Sequence, residues 1–316
     1  MGTANLRPAT QPTIHFIGVS TQRSSILRVF PVWARELGIN NAELHGIDLP
    51  LHAGREAYRA VVNFVRGDAL SWGALVTTHK IDLYHACVDL FDEQDWFARS
   101  MGEVSSISKR QGRLIAQAKD PVSAGRTLLR MIPPGYWAGV GSEVLCLGAG
   151  GAAVAIIWFL LAGQHPLGSP RRVIVTDVDA QRLDHLRRLV DSDRLCVVVV
   201  SGQNDNSRLL AQLPPGSLII NATGMGKDRP GSPLDDDTLF PAESIVWELN
   251  YRGELDFLKQ AKRQALAQKL QVHDGWDYFI HGWTCVISDV FGIEIPDDQQ
   301  RFARLSQLAV DASAGA

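Results

Sequence analysis

A glycine-rich turn between an apolar strand and an apolar helix constrains the fold of this 316-residue chain more than any other segment. The run Val144-Leu-Cys-Leu predicts a buried strand, Gly148-Ala-Gly-Gly forms the turn, and an apolar helix follows from Ala152. Gly148 permits the tight turn, Gly150 lets a pyrophosphate approach the backbone, and Ala153 is small enough for close helix–strand packing. The start of the helix offers unpaired N–H groups and a positive dipole to that phosphate.

The next predicted strand, Val173–Thr176, ends at an acidic residue, Asp177. A carboxylate in this place accepts hydrogen bonds from the adenosine ribose of NAD, and it would repel the 2′-phosphate of NADP. Asp177 or Asp179 could instead cap the following helix, and Arg182, one turn further along, would suit NADP. The sequence therefore predicts an NAD site, with NADP less favoured and a plain tight turn at Gly148 as the alternative. The predicted backbone contacts to the cofactor are Gly148, Ala149, Gly150, Gly151 and Ala152.

Most of the chain alternates between predicted strands and helices, which is typical of a mostly parallel sheet covered by helices. A hairpin signal at Arg110-Gln111-Gly112 interrupts this alternation, and Asp120-Pro121 then opens the helix on which the chain crosses between domains. The predicted fold is α/β with two domains and a cleft between them. Residues 1–121 and 273–316 form an N-terminal α/β substrate domain, and residues 122–272 form a Rossmann-type NAD-binding domain.

The composition excludes several classes of protein. A net charge of -3 and the lack of a basic run argue against a nucleic-acid partner. The best apolar run, Ala152–Leu161, is too short to cross a membrane, and the N-terminal segment lacks the order of a secretory signal. The sequence therefore predicts a soluble cytoplasmic monomer or homodimer that acts on a small molecule. Four scattered cysteines predict free thiols rather than disulfides or a metal site, namely Cys87, Cys146, Cys196 and Cys285.

Eight segments, in this order, resemble the shikimate/quinate dehydrogenase family over almost the whole chain. They are Gly18–Ser25, Val76–Lys80, Gly102–Ser105, Gly112–Asp120, Gly148–Ala153, Asn221–Gly226, Glu248–Tyr251 and Asp274–Gly292. The resemblance implies an alcohol dehydrogenase that transfers a hydride between a nicotinamide cofactor and a secondary alcohol or ketone. It also implies cofactor contacts at Asn221, Thr223, Met225 and Gly275, with a core role as the alternative for Met225.

The reacting pair of the family corresponds to Lys80 and Asp120. A lysine in a partly desolvated cleft can exchange the hydroxyl proton of the substrate, and a neighbouring carboxylate can orient it. The alternative for Lys80 is a surface lysine at the start of a helix, where a cation is disfavoured. The alternative for Asp120 is a helix N-cap, which is compatible with catalysis.

The residues that read the substrate depart from the family pattern. Ser24 keeps one of two serines that hold a carboxylate, while Ile26 replaces the other. Ser105 replaces an asparagine, and His281-Gly282 replaces a glutamine. The motif that ends at Lys80 is also one residue shorter than in the family. The expected substrate contacts are Arg23, Ser24, Thr77, Ser105, Tyr251 and His281.

Two of these residues have plain alternatives. Arg23 could clamp a carboxylate or simply be solvated, and His281 could read a hydroxyl or be a packed core histidine. The sequence therefore predicts an NAD-dependent dehydrogenase of a polyhydroxylated carboxylic acid related to shikimate or quinate. The alternatives are a true shikimate or quinate dehydrogenase and, from another class, a non-catalytic dinucleotide-binding sensor.

Overall fold

The computed structural model describes residues 6–138, 141–227 and 229–314. The chain divides into two compact units, Met1–Lys119 with Ile280–Ala316, and Asp120–Phe279. Each unit is built on its own sheet, which has six strands in the described ranges. No helix in these ranges is long and apolar enough to cross a membrane.

The sheet of the first unit combines parallel and antiparallel strands. Its strands are β1 (Thr13–Gly18), β2 (Glu43–Asp48), β3 (Ser71–Val76), β4 (Glu93–Gln94), β5 (Ser106–Arg110) and β6 (Arg113–Gln117), in the order β2-β1-β3-β5-β6-β4. β1, β2 and β3 are parallel, and β5 and β6 form an antiparallel hairpin beside β3. Gln111 and Gly112 both have positive φ, 52° and 77°, which is the geometry of a type I′ turn. The predicted hairpin is therefore present.

Helices cover both faces of this sheet. They are α1 (Ile26–Glu36), α2 (Arg55–Gly67), α3 (Lys80–Cys87), α4 (Trp96–Met101), most of α10 (Trp276–Phe291) and α11 (Gln299–Ala314). α1 packs along α11, where the Trp33 indole N–H donates to the Leu305 carbonyl at 2.8 Å. At the end of α1, Glu36 pairs with Arg301 at 3.3 Å and Arg304 at 3.0 Å. The first unit therefore draws part of its core from the last helix.

The second unit has a fully parallel sheet of the Rossmann type. Its strands are β7 (Val144–Leu147), β8 (Val173–Asp177), β9 (Leu195–Val199), β10 (Leu218–Asn221), β11 (Ile245–Glu248) and β12 (Gln271–His273). Its helices are α5 (Asp120–Met131), α6 (Gly151–Ala162), α7 (Ala180–Leu189), α8 (Gln203–Leu210) and α9 (Asp256–Gln268). The strand order is β12-β11-β10-β7-β8-β9, so the direction of winding reverses between β7 and β10. Ligands of such sheets bind outside the carboxyl ends of the strands at this reversal.

The cysteines are free thiols. Cys87, Cys146 and Cys285 are buried, and Cys196 is half-buried. Burial raises the pKa of Cys87 and of Cys146 to about 12, so both thiols are protonated near neutral pH.

Candidate active site

The glycine-rich turn leaves β7 as the sequence predicts. Gly148 has a φ of 98°, and a Cβ added there would lie 2.9 Å from the backbone carbonyl carbon of Ala222. Its N–H donates to the Thr176 carbonyl at 2.7 Å. Gly150 caps α6, and no atom of the described residues lies within 4 Å of a Cβ added there. The turn is therefore held at Gly148 and open at Gly150, where the start of α6 offers its N–H groups to an anion.

Asp177 fixes this turn from the end of β8. One of its carboxylate oxygens accepts the Ala149 N–H at 2.8 Å, and the other accepts the Asp179 N–H at 2.9 Å. Asp179 caps α7 by accepting the Gln181 N–H at 2.9 Å. Of the two aspartates that could cap this helix, Asp179 is therefore the one that does. The Arg182 guanidinium lies 3.9 Å from Asp177 and 3.7 Å from Asp179.

A cavity of about 360 Å³ lies at the carboxyl ends of these strands. Gly148, Asp177 and Thr223 line it, together with Met225, which is half-buried and so differs from a core methionine. Within the described residues, two of its buried polar atoms have no hydrogen-bond partner, the Thr176 hydroxyl oxygen and the Asn206 amide oxygen. Both atoms are closed off from solvent. The open turn at Gly150 and the cavity that Gly148 and Asp177 line fit a nucleotide, whose phosphates would meet the start of α6.

A hydrogen-bonded network joins the ends of β10 and β11. Asn221 and Glu248 are register partners, and the Asn221 amide donates to the Glu248 carboxylate at 2.6 Å. The Asn221 amide oxygen accepts the N–H and the hydroxyl of Thr223 at 3.1 and 2.7 Å. The Thr223 hydroxyl in turn accepts the Met225 N–H at 3.2 Å. The network therefore fixes the loop from Asn221 to Met225 that lines the cavity.

Glu248 is a fully buried carboxylate in this network. Besides Asn221, it accepts two hydrogen bonds from Asn250, from the backbone N–H at 2.8 Å and from the side-chain amide at 2.7 Å. Burial raises the pKa of Glu248 from 4.5 to about 7 although these donors favour the charged form, and the nearby Asp274 adds to the rise. The carboxyl group therefore changes charge near neutral pH.

This shift predicts how stability depends on pH. The folded state holds the Glu248 proton more tightly than the unfolded chain does, so the contribution of Glu248 to the free energy of unfolding is greatest below pH 4.5. That contribution falls as the pH rises to about 7 and is then constant. Glu248→Gln is expected to remove this decline, on the order of 2–3 kcal/mol, from urea titrations at pH 5 and 7.5. Glu254→Gln, at a side chain that is 80% exposed, is the control, and parallel slopes for all three proteins would contradict the prediction.

Gly275 and Tyr251 adjoin the same end of the second sheet. A Cβ added at Gly275 would lie 2.0 Å from the Leu249 carbonyl oxygen, and the Gly275 N–H donates to the Asn250 carbonyl at 3.1 Å. The Tyr251 ring lies 4.6 Å from the ring of Phe279. Gly275 therefore allows the start of α10 to pack closely against the loop after β11.

Asp120 is the first residue of α5 and is almost fully buried. Its backbone carbonyl accepts the Ser123 hydroxyl at 3.1 Å. The helix begins at Asp120 itself, one residue before the start implied by an N-cap at this position. Asp120 belongs to the second unit, and Lys80 belongs to the first.

Lys80 begins α3 in the first unit, at the end of the short loop after β3. The lysine is half-buried, and its backbone carbonyl accepts the Val104 N–H at 3.2 Å. The Thr77 N–H donates to the Ile17 carbonyl at 3.0 Å. Thr78 has a φ of 30°, a strained value for a β-branched residue. The loop that leads into α3 therefore carries backbone strain at Thr78.

Ser105 is buried near this loop. Its carbonyl accepts the Val76 N–H at 2.9 Å, and its hydroxyl oxygen accepts the Lys119 N–H at 2.7 Å. The pairing of β3 with β5 thus brings Thr77, Lys80 and Ser105 to the same end of these strands, where β3 finishes and β5 begins.

The remaining predicted substrate residues of the first unit lie in two places. Arg23 is exposed at the end of a one-turn 3-10 helix, Thr21–Arg23, and Ser24 is buried directly after it. His281 is buried 3.6 Å from Asp297, and its ring lies 4.7 Å from Phe302. These contacts are those of a histidine packed between helices, the alternative to a substrate role.

Sequence reasoning missed several residues that line or support the cavity. Thr176 and Asn206 show their unpaired atoms only in the folded chain. Asn250 and Glu248 belong to a matched segment, yet neither was predicted as a site residue. The signal for Glu248 was present, because a charged residue ends the apolar strand Ile245–Trp247 and cannot be buried without partners.

Several known proteins are similar to this chain in sequence or in fold. No protein-family model matches the chain. A shikimate dehydrogenase (NADP(+)) of Streptococcus gordonii is 27% identical over 226 residues, which cover 71% of this chain and 74% of the relative. The enzyme of the same name from Symbiobacterium thermophilum is 29% identical over 215 residues, 67% of this chain and 68% of the relative.

A solved structure shows the same fold. Quinate dehydrogenase from Corynebacterium glutamicum in complex with NAD has a TM-score of 0.70 at 19% identity, covering 95% of this chain and 99% of the other. The fold is therefore that of two-domain dehydrogenases with a Rossmann-type domain, as the sequence predicted. Together with the eight matching segments, these comparisons show that the chain is similar to shikimate dehydrogenases in sequence and has the fold of a quinate dehydrogenase.

Proposed function

We propose that the chain is a nicotinamide-dependent dehydrogenase of a polyhydroxylated carboxylic acid related to shikimate or quinate. The observation that carries the proposal is the glycine-rich turn, fixed by Asp177 and open at Gly150, beside a cavity at the carboxyl ends of the strands. The names of the relatives support a dehydrogenase of this type. The second unit would bind the dinucleotide, and the first unit would bind the substrate.

The dinucleotide, when bound, supplies the acceptor or donor of the hydride. Lys80 would exchange the hydroxyl proton of the substrate, and the Asp120 carboxylate would accept a hydrogen bond from an adjacent hydroxyl. The Ser105 hydroxyl oxygen accepts a hydrogen bond from the Lys119 N–H. The hydroxyl can therefore donate its own proton to a substrate oxygen. Thr77 lies at the same end of β3 as Lys80 and is proposed as a further contact to the substrate.

We expect NAD to be the better cofactor. A 2′-phosphate near Asp177 and Asp179 would meet two carboxylates, and Arg182 is already paired with both. NAD should therefore give at least about tenfold higher kcat/KM than NADP, roughly 1.4 kcal/mol of discrimination. This preference would separate the chain from the relatives named for NADP.

Two variants test which carboxylate determines the preference for NAD over NADP. Asp177→Ser removes the buried carboxylate and should reduce the ratio of the two kcat/KM values. Asp179→Ser removes the second carboxylate but keeps a hydroxyl that can cap α7, and it leaves the hydrogen bond between Asp177 and Ala149. It should therefore retain most of the ratio. A higher kcat/KM with NADP for the unmodified protein would make the assignment of Asp177 wrong.

The substrate is expected to carry a carboxylate but to differ from shikimate. Ser24 and Tyr251 remain from the anion-binding residues of the family, and Arg23 is a new neighbour of Ser24. Ser105 and the His281–Gly282 region differ from the residues that read the hydroxyls of shikimate. A site built for a particular hydroxyl rejects an analogue without it by several kcal/mol, so kcat/KM on shikimate should be low.

A panel of cyclic and open-chain hydroxy acids, assayed with NAD and NADP, tests this expectation. An ordinary kcat/KM on shikimate, roughly 10⁴–10⁵ M⁻¹s⁻¹, would contradict it and favour a true shikimate dehydrogenase. A best substrate without a carboxylate, insensitive to Arg23→Ala and Ser24→Ala, would contradict the anion site. Dinucleotide binding with no turnover on any acid would favour the non-catalytic sensor.

A further inference from the structure

His79 is a buried histidine that directly precedes Lys80. It is only 1% exposed, and it is the N-cap residue of α3, although its side chain makes no capping hydrogen bond to the described residues of that helix. Its backbone joins the strained residue Thr78 to the first residue of α3, and its carbonyl accepts the Leu83 N–H at 2.8 Å. A displacement of His79 would therefore move the backbone of Lys80 with it.

Tyr58 on α2 holds the ring of this histidine. The Tyr58 hydroxyl oxygen lies 3.1 Å from His79 Nδ1, and the centres of the two rings are 5.6 Å apart. Among the residues that the structure describes, His79 Nε2 is buried without a partner, so the bond to Tyr58 is the one hydrogen bond of this ring there. The position of the ring therefore depends on the tyrosine hydroxyl.

The Tyr58 hydroxyl is suited to a lasting bond of this kind. Tyr58 is 1% exposed, and burial raises the pKa of its hydroxyl to about 12, so the hydroxyl keeps its proton near neutral pH. The same hydroxyl lies 3.4 Å from a carboxylate oxygen of Asp82, which belongs to the first turn of α3. Tyr58 thus contacts both the residue before the helix and the helix itself.

We infer that Tyr58 is a positioning residue for Lys80 and acts through its hydrogen bond to His79. The inference rests on the proposed function, in which Lys80 exchanges the hydroxyl proton of the substrate. Thr78 has a φ of 30°, and a residue in a sparsely populated conformation keeps it only where the surrounding structure holds it there. The bond between α2 and the His79 ring provides such a hold directly beside the lysine.

The bond could instead contribute only to the stability of the first unit, and Tyr84 provides the comparison for that role. Tyr84 lies on α3 itself and is 7% exposed. Its hydroxyl donates to the Gln94 amide oxygen at 2.8 Å, so its partner lies on β4 rather than in the loop before Lys80. Tyr58→Phe and Tyr84→Phe each remove one hydroxyl from a buried ring beside the same helix. A purely structural role predicts similar effects for the two variants.

Steady-state kinetics of these two variants test the inference, with the full chain and the acid of the panel that gives the highest kcat/KM. Tyr58→Phe should lower kcat by roughly tenfold or more, since a reacting group displaced by about 1 Å can cost on the order of 100-fold. The KM should stay close to that of the unmodified protein, because the loss falls on the transition state. Tyr84→Phe should leave kcat and KM unchanged, and thermal melts would show that both variants are folded.

Two variants of the histidine provide a second test that does not depend on Tyr58→Phe. His79→Asn keeps a polar atom close to the position of Nδ1 and can still bond the Tyr58 hydroxyl, so it should retain most of kcat. His79→Leu fills much of the same space without a polar atom, and it should lose kcat as Tyr58→Phe does. The Kd for NAD, measured by calorimetry, should be unchanged in both variants.

The outcomes separate the inference from the proposed function. A normal kcat in Tyr58→Phe would overturn the inference, whereas turnover by the unmodified protein would still support the proposed function. Equal losses in Tyr58→Phe and Tyr84→Phe would reduce the bond to a structural one. If Tyr58→Phe did not fold, equal kcat values for the two His79 variants would overturn the inference instead. Failure of the unmodified protein to turn over any acid of the panel would overturn both.

Discussion

Replacing Lys80 by methionine is expected to lower kcat by roughly 10²–10⁴-fold, the usual cost of losing a general acid–base group. Lys80 belongs to the first unit, and the glycine-rich turn and the residues that line its cavity belong to the second. The Kd for NAD should therefore stay within a few-fold of that of the unmodified protein. Loss of the lysine should not destabilise the fold, because a cation is disfavoured at the start of α3. Steady-state kinetics and calorimetry on the same preparation measure both quantities.

Two further lysine variants sharpen this test. Lys80→Arg keeps the charge, but an arginine does not release its proton near neutral pH, so most of the turnover should still be lost. Lys259→Met removes a lysine of the second unit that is 53% exposed and should leave kcat unchanged. Near-normal turnover in Lys80→Met would remove the lysine from the mechanism and favour the sensor.

Gly275→Ala is expected to lower the free energy of unfolding by about 2–3 kcal/mol, the usual cost of overpacking. The added Cβ would lie 2.0 Å from the Leu249 carbonyl oxygen, so the start of α10 and the loop after β11 would have to separate. For a unit of this size, that loss corresponds to a fall in Tm on the order of 5–10 °C. Differential scanning calorimetry would measure it.

Gly282→Ala, inside α10, provides the control. In the part of the chain that the structure describes, no atom lies within 4 Å of a Cβ added at Gly282, and alanine stabilises a helix interior by up to about 1 kcal/mol relative to glycine. Its Tm should therefore be unchanged or higher. If the two alanine variants melted at the same temperature, the packing role of Gly275 would be wrong.

The sequence predicted the glycine-rich turn and its neighbours well because several signals agree there. β7 runs over Val144–Leu147 as predicted, since an apolar strand, glycines and an apolar helix follow one another. The sequence missed α8, Gln203–Leu210, where only Asn206 and Leu210 are buried. Most of that segment is polar, so its helix depends on tertiary contacts. The short strands β4 and β12, of two and three residues, carry too little pattern to be predicted.

A site residue could be predicted from the sequence where its residue type and its position in a strand or helix together indicate its chemistry. Lys80 at the start of α3 and Asp177 at the end of β8 are of this kind. Asn206 is not, because an asparagine in a polar helix gives no sign that its amide oxygen is left without a donor. The histidine in α10 could not be assigned either, since the face it presents to Phe302 depends on where α11 packs.

The packing of α1 against α11 bears on how a growing chain leaves the ribosome. Trp33 and its acceptor Leu305 are 272 residues apart, and the whole second unit is made between them. That unit is one continuous stretch and can fold as soon as it emerges, because domains generally fold as units during synthesis. Until α11 follows, α1 lacks the partner of Trp33 and the arginines that pair with Glu36. Its apolar face is therefore where a nascent chain would need a chaperone or would begin to aggregate.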